Sequence, residues 1–173
     1  MNLHRARDSA RGSFVLGSGG RILCEDAGMS SGSGPHSVTL RLAVAWGDMD
    51  ALGHVNNTIY LRWFESARIA WWERIPIVER LHARGIGPIL ARTSIDYRRP
   101  VKYPDTVEIT VTTLRVGGKS VNLGYRLTSS AQDGVLVAEG ETVVAMFDYV
   151  NNVTLPIDDE LRALMLGSPP AAP

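Results

Sequence analysis

The chain has 173 residues, in which 18 Lys and Arg balance 18 Asp and Glu, and 45% of it is hydrophobic. Zero formal net charge excludes the broad basic field of a non-specific nucleic-acid binder and the acidic excess of a solvating tail. The one cysteine, Cys24, excludes an internal disulfide framework and a cysteine-rich zinc site.

Residues 1–37 carry no periodic apolar pattern, and Ser30-Ser31-Gly32-Ser33-Gly34-Pro35 has the composition of a flexible linker. A disordered arm is expected there. Arg5, Arg7 and Arg11 are followed by only Phe14, Val15 and Leu16 before Gly17, too little for the apolar region of a secretory signal. No apolar run approaches the ~20 residues that span a bilayer. The expectation is a cytoplasmic chain, with one domain over 38–166 and a flexible tail over 167–173.

From Val38 to Trp46, apolar Val38, Leu40, Leu42, Val44 and Trp46 alternate with Thr39, Arg41, Ala43 and Ala45, the period of a half-buried strand. Gly47 to Asn57 is polar and turn-rich. Tyr60, Trp63, Phe64, Ala67, Ala70, Trp71 and Ile75 then recur at helical spacing. Asn56, Asn57 or Thr58 suits the helix cap, and Pro76 its end. Further strands are predicted over Ile89–Arg98, Val107–Val111 and onward to the Gly117-Gly118 break, Val121–Leu127, and Val135–Tyr149. Asp133-Gly134 is a hairpin signal before the last of these. Pro156 opens a short terminal helix through Leu166, with Asp158 and Asp159 in its first turn.

One strand, one long helix and four strands joined by short turns favour antiparallel neighbours, with the helix covering one sheet face. The fold class is α+β. Later strands lack the helical crossovers of a doubly wound parallel sheet.

Chemistry concentrates in Trp46-Gly47-Asp48-Met49-Asp50-Ala51-Leu52-Gly53-His54-Val55-Asn56-Asn57-Thr58-Ile59-Tyr60. This strand-to-helix loop carries two acids, a histidine and two asparagines. The unpaired amides and partial positive charge of a helix N-terminus suit a developing oxyanion. An acid a few residues earlier can serve there as base or nucleophile. The same residues also have plain structural uses: an Asx turn for Asp50, a hydrogen-bonded role for His54, caps for the asparagines. His4, His36, His54 and His82 form no ligand-spaced cluster, so neither metal nor cofactor is expected.

The run Asp50-Ala-Leu-Gly-His54-Val-Asn56-Asn57-x-x-Tyr60, followed by Trp63-Phe64-Glu65-x-x-Arg68, resembles the 4-hydroxybenzoyl-CoA thioesterase branch of the hotdog-fold acyl-CoA thioesterases. The likeness extends over about 38–162 through strand order, the central helix and the Pro-x-x-Tyr-Pro-Asp turn. It implies a hotdog fold, a long central helix wrapped by a five-stranded antiparallel sheet. The implied activity is hydrolysis of an acyl- or aroyl-CoA to free acid and CoA, by a homodimer or homotetramer with sites near the subunit interface. Asp50 matches the catalytic carboxylate, Asn57 the backbone N–H that polarises the carbonyl, and His54 an assisting position. Tyr60 and Glu65 match pocket-proximal helix positions, and Lys119 and Ser120 the strand edge that holds CoA phosphates. Gly117 and Gly118 stand where some relatives have arginines, which makes Arg98 and Arg99 further candidates for phosphate. Two other activities fit the same residues: a hotdog enoyl-CoA hydratase or dehydratase, and a non-catalytic acyl-CoA binding module.

Overall fold

A computed structural model describes residues 36–75 and 78–168. Of the arm expected over 1–37, residues 1–35 lie outside the described residues, as do Pro76 and residues 169–173 of the tail expected over 167–173. Ser37, expected in the arm, instead opens the first strand, paired with Thr112.

Strand β1 (Ser37–Ala43) leads through one 3-10 turn to helix α1 (Asn57–Glu73), then to a short helix α2 (Val78–Ala83). Strands β2 (Ile86–Tyr97), β3 (Thr106–Val116), β4 (Ser120–Ser129) and β5 (Val135–Asp148) follow. Two residues of β6 (Val153–Thr154) and helix α3 (Asp159–Met165) close the order. The sheet is antiparallel throughout, ordered β1-β3-β4-β5-β2, with β6 added against β5. The expected five-stranded sheet is thus present, and the two-residue β6 extends it.

Alternation decides which face is covered. Val107, Ile109 and Val111 of β3 and Val121, Leu123, Tyr125 and Leu127 of β4 are buried, while the residues between them point to the opposite face. Helix α1 supplies the other half of the core with Tyr60, Trp63, Phe64, Ala67, Trp71 and Trp72. Phe64 stacks on Tyr125 with ring centroids 4.3 Å apart and planes 8° from parallel. Gly140 makes this fit possible: a Cβ there would stand 2.8 Å from Phe64 Cε2 and against the Ser94 carbonyl. This is the hotdog arrangement, a central helix wrapped by a curled antiparallel sheet.

Several boundaries differ from the sequence expectation: β2 opens at Ile86 rather than Ile89, and the last helix at Asp159 rather than Pro156. The first strand ends at Ala43, and Trp46, expected as its last inward residue, is 74% exposed. The cause is local: the Val44 N–H donates to the Asp105 carbonyl at 2.9 Å, and the chain then turns through Trp46–Asp48. Asp158 is the cap of the last helix, accepting from the Leu161 N–H, and Asp159 is the residue in its first turn.

Candidate active site

The loop between β1 and α1 is a small hairpin. Met49 and Val55 pair in an antiparallel bridge, and the Asp50 N–H donates to the His54 carbonyl at 2.8 Å. The Gly53 N–H returns to the Asp50 carbonyl at 3.0 Å, closing a turn over Ala51, Leu52 and Gly53. Gly53 has φ +76°, the left-handed residue that a three-residue hairpin loop needs at this point. The Asp-x-x-Gly-His spacing therefore encodes a turn: the acid opens it, the glycine takes the left-handed position, and the histidine pairs back.

Asp50 has a structural use. Its Oδ1 accepts the Leu52 N–H at 2.9 Å, an Asx turn. Its Oδ2 accepts no hydrogen bond among the described residues. Asp48 instead braces the loop, with Oδ2 taking the Ala45 N–H at 2.9 Å and its carbonyl taking the Asn56 N–H at 2.9 Å. The Val55 N–H donates to the Val101 carbonyl at 2.9 Å, fastening the hairpin to the chain between β2 and β3.

At the start of α1, Asn56 is the cap, and its Oδ1 accepts from Thr58 N–H at 2.9 Å and Thr58 Oγ1 at 2.7 Å. The Ile59 N–H donates to the Asn56 carbonyl at 2.9 Å. Of the first three amides of the helix, only that of Asn57 has no acceptor among the described residues. The helix dipole adds partial positive charge at that point. A free amide thus begins the helix to which the Asp50 hairpin is tied through Asp48 and Asn56.

Tyr60, one turn into α1, is 3% exposed and meets Tyr97 edge-on at 5.1 Å. Burial pushes its phenol above the ordinary tyrosine range, so it stays protonated. The Tyr97 hydroxyl donates to the Asn57 carbonyl at 3.3 Å. Sequence reasoning passed over Tyr97, because nothing local links it to a residue 40 positions away. Arg98 and Arg99 follow it, both N–H groups donating to the Val137 carbonyl at 2.8 and 3.1 Å. The Arg98 guanidinium is held by Glu139 Oε1, at 3.0 Å from Nε and 2.7 Å from Nη2. That contact raises the Arg98 pKa further and ties its charge to β5. The side chain of Arg99 is exposed and makes no ion pair among the described residues.

The structure therefore gathers Asp50, His54, Asn57 and Tyr60 at one end of the sheet, with Arg98 and Arg99 at the adjoining end of β2. Glu65 is not among them. It lies eight residues further along α1 than Asn57, ~12 Å along the axis, and its exposed carboxylate has Arg68 Nη2 at 3.9 Å. Lys119 and Ser120 are further still. They turn the chain at the far end of β3, an 11-residue strand whose near end adjoins Val44 and the loop; at ~3.3 Å per residue the separation along β3 is ~36 Å. Arg162 of α3 braces that turn, donating from Nη1 to the Val116 carbonyl at 2.8 Å and from Nη2 to the Gly117 carbonyl at 2.9 Å. Lys119 Nζ rests 3.5 Å from Thr154 Oγ1. A groove of about 510 Å³ on the sheet face away from α1 is lined by Thr110, Arg126, Glu139 and Glu141 among others, and no candidate residue lines it.

Among the described residues no group of three or more His, Cys, Asp or Glu could hold a metal ion, and no helix is long and apolar enough to cross a membrane.

Comparison with known proteins now gives this geometry a family. Residues 44–165 match the thioesterase-like superfamily. The long-chain acyl-CoA thioesterase FadM of Escherichia coli (strain K12) is 30% identical over 114 residues, which cover 66% of this chain and 86% of FadM. The PA2801 protein of Pseudomonas aeruginosa shares 34% identity, with a TM-score of 0.65 over 72% of this chain and 95% of its own. A 4-hydroxybenzoyl CoA thioesterase mutant complexed with 4-hydroxybenzoyl CoA shares the fold at 18% identity, with a TM-score of 0.67 over 75% of this chain and 99% of its own. The chain belongs to the thioesterase-like superfamily and is a hotdog-fold acyl-CoA thioester hydrolase.

Proposed function

We propose that Asp50 and the Asn57 amide are the reaction centre of this hydrolase. The observation that carries the assignment is the Asn57 N–H at the start of α1, without an acceptor among the described residues and tied through Asn56 and Asp48 to the hairpin that holds Asp50. The thioester carbonyl oxygen receives the Asn57 N–H, which strengthens as negative charge develops in the tetrahedral intermediate. One such donor contributes about 3 kcal/mol in other acyl-transfer sites. The Asp50 carboxylate takes a proton from the attacking water, and the carbon–sulfur bond breaks to release CoA thiolate and the free acid; or it attacks the carbonyl itself, CoA thiolate leaves, and water hydrolyses the resulting anhydride to free acid and the regenerated carboxylate. His54, paired with Asp50 through the backbone, assists from the other arm of the hairpin.

Tyr60 walls the acyl side of the site. Arg98 and Arg99 contribute around its mouth, with the exposed Arg99 available to an anionic CoA group, while Glu65, ~12 Å further along α1, stands apart from it. Lys119 and Ser120 serve the substrate held by a second copy of the chain, since their turn is too far along β3 to reach the Asp50 of their own. A homodimer through the open edge of β2, and a tetramer built from it, agrees with that division. A cytoplasmic location goes with a CoA-ester substrate and is checked by fractionation.

The test is thiol release from a panel of short, long and aromatic acyl-CoAs, with Asp50→Asn beside the wild type. FadM is named for long-chain acyl-CoA, which makes long-chain esters the first arm. Turnover that falls ~100-fold or more in Asp50→Asn supports the assignment, and near-normal turnover removes Asp50 from it. Light scattering of the full chain reads the oligomeric state.

A further inference from the structure

Tyr97 ends β2 and is 49% exposed, yet its hydroxyl reaches the first turn of α1. Its ring sits edge-on against the buried Tyr60, at 90° and 5.1 Å. The chain just after it is anchored on β5 by the Arg98 and Arg99 amides. The hydroxyl thus hangs from a fixed point and touches one backbone group, the Asn57 carbonyl, at 3.3 Å. A carbonyl oxygen has two lone pairs, so this bond coexists with the intrahelical one. At 3.3 Å it is long for O–H···O, so its effect is on position more than on polarisation.

The helix does not need this bond to form. Asn56 already caps it through two bonds to Thr58, and Tyr60 anchors its apolar face. What remains for the hydroxyl is the tilt of the first peptide groups, and with it the aim of the Asn57 amide. We propose that Tyr97 is a positioning residue for the hydrolysis: its hydroxyl holds the Asn57 carbonyl so that the Asn57 N–H meets the thioester oxygen. This rests on the oxyanion role proposed above for Asn57.

The experiment is a double-mutant cycle between Tyr97→Phe and Asn57→Pro, using the acyl-CoA turned over fastest in the panel. Asn57 is the first residue of α1, where proline is tolerated. Asn56 has φ −61° and ψ 139°, the extended backbone that a following proline requires. Asn57→Pro therefore deletes the N–H while fitting the helix, and thermal melts check that each variant folds.

Tyr97→Phe is expected to lower kcat about tenfold, with KM within about twofold and an unchanged melting temperature. Asn57→Pro should lower kcat by ~10²–10³. In the Asn57→Pro background, Tyr97→Phe should add less than about twofold, because the amide it aims is gone. An unchanged kcat in Tyr97→Phe overturns the proposal, and so does a tenfold loss that persists in full beside Asn57→Pro, which marks a role independent of that amide. Wild-type kcat in Asn57→Pro overturns the oxyanion assignment itself, a separate result read from that variant alone.

Discussion

Asp50 and His54 face one another across a three-residue turn, joined by a backbone hydrogen bond of 2.8 Å from the aspartate N–H to the histidine carbonyl. The bond uses main-chain atoms only, so it engages neither side chain, and the register of one residue fixes the other.

The turn role of Asp50 and the catalytic role proposed for it can be separated by substitution. Asparagine retains an oxygen for the Leu52 N–H, so Asp50→Asn should keep the turn and its melting temperature while kcat drops ~100-fold or more. Asp50→Ala removes the acceptor as well. It should lose the same activity and about 1 kcal/mol of stability in addition. Urea denaturation of both variants beside wild type reads the difference.

Gly53→Ala is predicted to destabilise the chain by about 1–2 kcal/mol, although an added Cβ would meet nothing within 4 Å. The cost is conformational, set by φ +76°. Gly47→Ala is the matched control: its Cβ also meets nothing within 4 Å, its φ is unremarkable, and its denaturation midpoint should stay near wild type. Equal midpoints for the two variants would refute the turn assignment.

Gly140→Ala should cost about 3 kcal/mol or more, because the new methyl meets backbone at Ser94 and the Phe64 ring together. Phe64 cannot yield easily while stacked on Tyr125. A melting temperature within a degree or two of wild type would show that helix and sheet are less tightly fitted than described.

His36 gives a pH dependence. Burial is the main cause that lowers its pKa below the usual 6.5, opposed by its contact with the Trp71 carbonyl and helped by Arg74. The unfolded chain then binds the proton first, so stability falls as the pH drops from about 6.5 toward the lower folded value. His36→Gln should flatten the slope of melting temperature against pH over that interval. An unaltered slope would discard this account.

Much of this was legible from residue order, and what was not has physical causes. Alternation located the buried rows of β3 and β4, because covering one sheet face imposes period two directly on the sequence. It overran at Trp46, where the pattern continues by coincidence past a hydrogen bond to Asp105 that only the folded sheet supplies. Helix α2, of 6 residues, and β6, of 2, are too short to carry a period and were not foreseen. The Asx turn at Asp50 and the cap of α1 were readable because turn, acid and cap are contiguous, whereas the Met49–Val55 pairing that makes the loop a hairpin was not. The separation of Lys119 and Ser120 from that hairpin was not, since it depends on which end of β3 each adjoins. Tyr97 escaped notice for the same reason: its partner is set by tertiary structure.

Arg162 reaches back 46 and 45 residues to clasp the carbonyls of Val116 and Gly117. The last helix is therefore a splint for the turn that presents Lys119 and Ser120. Shortening the chain to remove α3 would slacken that turn and also uncover the core that Leu161, Leu164 and Met165 close. A C-terminal fusion that pulls on α3 would load that turn more gently, so strain applied at the end of the chain is felt first at Lys119 and Ser120.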